Sequence, residues 1–101
     1  MARKKTEETS LKSACKDFLA LYGIFTFPLT AGMGSYPGAP DRIGIFKGHP
    51  LALEFKRPGG KLTPHQEAFR LKWKEKGGIH ITVRSIEDLA AALGIRTMGL
   101  I

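Results

Sequence analysis

The chain has 101 residues, with 16 Lys and Arg against 9 Asp and Glu and a formal net charge of +7. That length makes one small domain with a modest core, and the positive excess points to a polyanionic partner, phosphate being the natural source of charge, or else to a merely soluble basic protein. The single cysteine, Cys15, excludes an intrachain disulfide and a cysteine zinc cluster, and no apolar run approaches the ~20 residues of a membrane span.

Residues 1–6 form a basic arm. Its Arg3-Lys4-Lys5 cluster could touch a DNA backbone, although short basic ends are more often solvated. Without the apolar core of a signal peptide, an intracellular, cytoplasmic protein is expected. Residues 7–22 carry Leu11, Ala14, Cys15, Phe18, Leu19 and Tyr22 at the spacing of one helical face, with Lys12, Lys16 and Asp17 off it, and Gly23 ends the helix. One step back along the stripe stands Glu8. A first-turn acid has an ordinary explanation in the helix dipole.

Ile24 to Leu29 has the β-branched and aromatic content of a strand, with Pro28 marking an edge or an end. The stretch from Thr30 to Pro40 is too rich in Gly and Pro for regular structure. It delivers the chain to Asp41 and is either a plain connector or a DNA-contacting loop whose backbone N–H groups, Ser35 and Tyr36 reach phosphate. It lacks the Gly-Lys-Ser/Thr of a P-loop and the third glycine of a dinucleotide fingerprint.

Asp41 opens an apolar strand, Ile43 to Phe46, and Lys47-Gly48-His49-Pro50 reads as a hairpin turn. In the next strand Leu51, Leu53 and Phe55 face a core while Ala52, Glu54 and Lys56 point the other way. Antiparallel pairing would bring Asp41 near Glu54 and Lys56, and two acidic oxygens so close suggest a site for a hard divalent cation. After the Arg57-Pro58-Gly59-Gly60 turn, Thr63-Pro64-His65-Gln66 is a helix start, with Thr63 as N-cap, Pro64 in the first position and Gln66 closing a capping box. The helix runs through Ala68, Phe69, Leu71 and Trp73 to Lys76, with Trp73 read as core or interface, and Gly77-Gly78 stops it. Ile79, Ile81 and Val83 alternate with polar residues as a half-buried strand, and Ser85 caps a last helix with Ile86, Leu89, Ala90 and Leu93 inward, closed by Gly94. Residues 95–101 form a short apolar tail, suited to packing on the domain or on a second subunit.

The order helix, three strands, helix, strand, helix is that of an α/β sandwich with a mixed sheet. Glu8, then Gly38-Ala39-Pro40-Asp41, Leu53-Glu54-Phe55-Lys56, Gly59-Gly60-Lys61-Leu62-Thr63-Pro64-His65-Gln66 and Gly77-Gly78 before a strand form a series that resembles the PD-(D/E)xK nuclease superfamily and, within it, the VRR-NUC (virus-type replication-repair nuclease) domain. The resemblance covers residues 7 to 93 and implies a compact α-β-β-β-α-β-α restriction-endonuclease-like sandwich, with residues 7–94 as the nuclease domain.

It further implies a DNA endonuclease using Mg²⁺ or Mn²⁺ held by Asp41, Glu54 and the backbone carbonyl of Phe55. Glu8 becomes a further candidate at the metal, Lys56 a positioner of water or a stabiliser of phosphate charge, and Gln66 a partner that orients Lys56 or water. Ser35, Tyr36, Arg57, Lys61, His65 and Arg70 are the candidate DNA contacts. Stand-alone members of the family look like homodimers acting on branched DNA such as a four-way junction, in a bacterial cell or a phage-infected host. Two other classes stay open: a non-catalytic DNA-binding module, and a nuclease subunit active only within a replication, repair or restriction complex.

Overall fold

The computed structural model describes residues 7–30 and 35–96; the basic arm, Ala31 to Gly34 in the glycine-rich stretch and the tail from Thr97 onward lie outside them. The elements are α1 (Glu7–Leu21), β1 (Thr26–Pro28), β2 (Arg42–Phe46), β3 (His49–Phe55), α2 (Pro64–Glu75), β4 (Ile79–Val83) and α3 (Ile86–Leu93). Four strands form one sheet in the order β1-β2-β3-β4. β2 runs antiparallel to both β1 and β3, and β4 joins β3 in parallel after the α2 crossover. The expected mixed α/β sandwich is therefore the architecture observed.

Composition explains the layers. Cys15, Phe18 and Leu19 of α1 and Leu89, Ala90 and Leu93 of α3 pack with Leu51, Leu53, Phe55, Ile81 and Val83 into one core. Each large side chain so buried contributes about 1.5–3 kcal/mol. Burial also pushes the Cys15 thiol up to about 12, which makes it a packing group and a poor nucleophile. Caps fix the helix ends: Thr63 and Gln66 complete the capping box of α2, and Ser85 accepts from the Asp88 N–H at the start of α3.

The hairpin is tighter than the sequence suggests. Only Lys47 and Gly48 form the turn, both with positive φ, so His49 and Pro50 join β3. Alternation along β3 holds, but its second face is not solvent. α2 covers it, and Ala52 and Glu54 are as buried as their neighbours. Along α2 the half-buried residues are Gln66, Glu67, Phe69, Arg70 and Trp73, whereas Ala68 and Leu71 face out. Where β1 and β2 extend beyond α2, the same sheet face is bare, and Phe25, Phe27 and Ile45 are 66%, 45% and 51% exposed.

Candidate active site

Strand register creates the site. Regular antiparallel pairing of β2 with β3 ends at Arg42 opposite Leu53, which leaves Asp41 at the end of β2 beside the stretch of β3 that carries Glu54. Beyond that pair the register shifts by one, since the Asp41 N–H donates to the carbonyl of Leu53, already the partner of Arg42, at 3.0 Å. Two carboxylates thus meet at the end of the sheet where α1, β2, β3 and the start of α2 converge.

Each carboxylate has one oxygen anchored by the fold. Asp41 Oδ2 accepts from the Phe55 N–H at 2.8 Å, and Glu54 Oε2 accepts from Gln66 Nε2 at 3.1 Å. Of the other two, Asp41 Oδ1 is met by the Lys12 ammonium at 3.5 Å, and Glu54 Oε1 is buried with no N–H or O–H donor of another residue on it among the described residues. Glu54 is only 3% exposed. Burial, then the neighbouring Asp41 charge and a hydrogen bond shared with that carboxyl, pushes Glu54 up to about 8, against the opposing charges of Lys56 and Lys12. A carboxyl kept this short of compensation fits a divalent cation, which would satisfy the orphaned oxygen and favour the ionised pair.

The remaining candidates fall into groups. Gln66 serves cap and site together, its Oε1 accepting from the Thr63 N–H at 2.9 Å while its amide nitrogen holds Glu54. Lys56 stands two residues after Glu54, half-buried, with its backbone N–H tied to the Val83 carbonyl at 2.9 Å. Glu8 sits one helical turn before Lys12 on α1. Among the described residues, however, no three His, Cys, Asp or Glu side chains form a metal-holding group. Ser35, Tyr36 and His65 line a groove of about 570 Å³ together with Asp41 and Gln66.

Lys61 and Arg70 line a neighbouring open cleft with Arg84, and Arg57 is exposed in the loop after β3. Arg70 is already engaged by Glu67, 2.6 Å away, and that pairing holds the Glu67 carboxyl below its ordinary range. Arg84 donates twice to the Gly60 carbonyl, at 3.0 and 2.7 Å, fixing the loop that follows Lys56. Lys12 is the residue that sequence reading passed over. It lies off the apolar stripe, and the available signal was its place one turn after Glu8.

Gly38 docks the approach to Asp41. A Cβ there would stand 2.1 Å from the His65 carbonyl oxygen, and its φ of +78° is one that L side chains rarely adopt. Gly38→Ala is therefore expected to destabilise the fold by about 1–3 kcal/mol, read as a lower urea midpoint, because the loop must lift from the start of α2.

No protein-family model matches the chain, and no curated protein matches it significantly. Among solved structures it is similar to one described as "VRR_NUC domain", with 23% sequence identity, a TM-score of 0.75, and coverage of 89% of this chain and 97% of that one. The chain has the fold of that domain.

Proposed function

We propose that this chain is a divalent-metal-dependent DNA endonuclease that hydrolyses phosphodiester bonds in branched DNA, with the four-way junction as substrate and a homodimer as the active form. The observation that carries the reading is the Asp41–Glu54 pair, buried at Glu54 with one carboxylate oxygen lacking a donor among the described residues. A permanent carboxylate pair of this kind destabilises a fold, and carboxylates facing DNA repel phosphate unless a cation reconciles them. The solved VRR_NUC domain with the same fold supports a nuclease.

Asp41, Glu54 and the Phe55 carbonyl would hold Mg²⁺ or Mn²⁺, which when bound supplies positive charge at the phosphate and a water of lowered pKa. Glu8 would tune that site from the first turn of α1. The chain's own groups do the positioning. The Phe55 N–H and Gln66 fix the two carboxylates, and the Lys56 ammonium, close enough to oppose the rise at Glu54, stabilises charge building on the phosphate. Ser35, Tyr36 and His65 border the path of the strand, with Arg57, Lys61 and Arg70 as outlying phosphate contacts.

The dimer rests on the bare apolar face of β1 and β2, where Phe25, Phe27 and Ile45 gather with Leu29. A two-fold pair of sites suits a junction of approximately two-fold symmetry.

The deciding experiment offers four-way junctions, flaps, single strands and linear duplex in parallel with Mg²⁺ or Mn²⁺, alongside sedimentation of the free protein. Paired symmetric nicks confined to the junction, made by a dimer, are expected. Cutting of flaps alone would change the substrate, and junction cleavage on both strands by a monomer would remove the dimer. Tight binding without cleavage would favour a binding module, and cleavage gained only on adding a helicase or specificity subunit would favour a partner-dependent nuclease.

A further inference from the structure

Tyr36 lines a second cleft besides the groove that holds Asp41 and Gln66. This one, about 300 Å³, is walled by Tyr36, Phe69, Trp73, Lys72 and Lys76. Phe69 and Trp73 lie stacked, 5.2 Å between ring centres and 23° between planes, and Tyr36 meets Phe69 edge-on at 5.9 Å. The wall is fixed. Trp73 Nε1 donates to the Ile79 carbonyl at 3.0 Å, and the indole edge occupies space that any Cβ at Gly78 would fill, 2.4 Å from Nε1. Yet it is not interior: Tyr36 is 57% exposed, and α2 contributes no fully buried residue.

We propose that this aromatic cleft seats one unpaired base of a DNA strand whose scissile phosphate, about three nucleotides away, lies at Asp41 and Glu54, an inference that rests on the nuclease reading above. Ring faces stack with any base, and cations beside them take the flanking phosphates. Here Lys72 and Lys76 supply those cations, and among the described residues no carboxylate lines the cleft. α2 joins the two places: from Gln66, which holds Glu54, to Trp73 is about 10 Å along the helix, the rise of about three stacked nucleotides. A base inside a duplex cannot enter, so the cleft selects strands with an unpaired nucleotide near the cut.

Trp73 is the chain's single tryptophan, so its emission reports occupancy directly. The test titrates the Glu54→Gln protein, without metal, with a thymidine oligonucleotide and with a blunt-ended, fully paired duplex. Quenching by the single strand and not by the duplex is expected, with the ratio of single-strand to duplex affinity falling roughly tenfold in Tyr36→Ala and in the Lys72→Gln, Lys76→Gln double variant. Unmoved emission, or an unchanged ratio in both variants, would overturn the subsite, as would emission that follows protein concentration and ignores the oligonucleotide, the sign of a second copy seated there. Wild-type cleavage is scored separately: quenching without cleavage leaves the subsite and removes the nuclease, whereas cleavage without quenching removes the subsite alone.

Discussion

Glu54→Gln is expected to lower metal-dependent cleavage by roughly a thousandfold or more while making the metal-free fold more stable, not less. Glutamine keeps the shape of the side chain in a site closed to water, and its carbonyl oxygen can still accept from Gln66. Its amide can donate toward Asp41, a contact that the wild type makes only by holding a proton on Glu54 that the unfolded chain releases. A change that strengthens the fold and removes the activity marks a residue retained for chemistry.

Asp41 needs a gentler substitution. Asp41→Ala would leave the Phe55 N–H without its acceptor, at a cost of about 1–3 kcal/mol, so Asp41→Asn separates loss of a metal ligand from loss of structure. Lys56→Ala, which removes the adjacent cation, is expected to lose cleavage on the same scale. Single-turnover cleavage of a junction together with urea unfolding checks all three, and near-wild-type rates in any of them would refute its assignment.

Local signals carried most of the architecture. The capping box at Thr63 and Gln66, the Ser85 cap, the apolar stripe of α1 and the alternation from Ile79 to Val83 each specify an element from adjacent residues, and each forms where expected. The hairpin brings Asp41 to the end of β3 that carries Glu54, which was legible from local pairing, whereas the one-residue shift of register at Asp41 was not.

What escaped depends on contacts between distant segments. The second face of β3 is buried because α2 crosses over it, which no periodicity within His49–Phe55 encodes. Lys12 reads as a solvated lysine until α1 is placed against the end of β2. Trp73 packs with Phe69 on the half-buried side of α2 while Ala68 and Leu71 face out, and the aromatic cleft exists only after the loop carrying Tyr36 docks on α2.

The same carboxylate pair predicts how stability should respond to pH and to divalent ions. Glu54 titrates near 8 in the folded chain against an ordinary 4.5, so the folded form keeps a proton that the unfolded chain has already released. Its contribution is complete below about 4.5 and is lost as pH rises through about 8. His80 works in the opposite sense. Burial and the Arg70 charge lower it from 6.5 to about 4, so its stabilising effect grows as pH rises through that interval and is complete above it. The informative window is therefore pH 6.5 to 8, where His80 is constant and the melting temperature of the metal-free protein should fall.

Mg²⁺ or Mn²⁺ competes with that proton and should reverse the trend, stabilising more at pH 8 than at pH 6.5. At a hundredfold excess over Kd the gain is about 2.7 kcal/mol, of order 10 °C in a domain of this size. Thermal melts across the window, with and without the ion, measure both effects. In Glu54→Gln the fall with pH and the response to metal should disappear together. A metal response retained in that variant would place the ion elsewhere, and a wild-type melting temperature that climbs through the window without metal would mean that the pair is already compensated by Lys12 and Lys56.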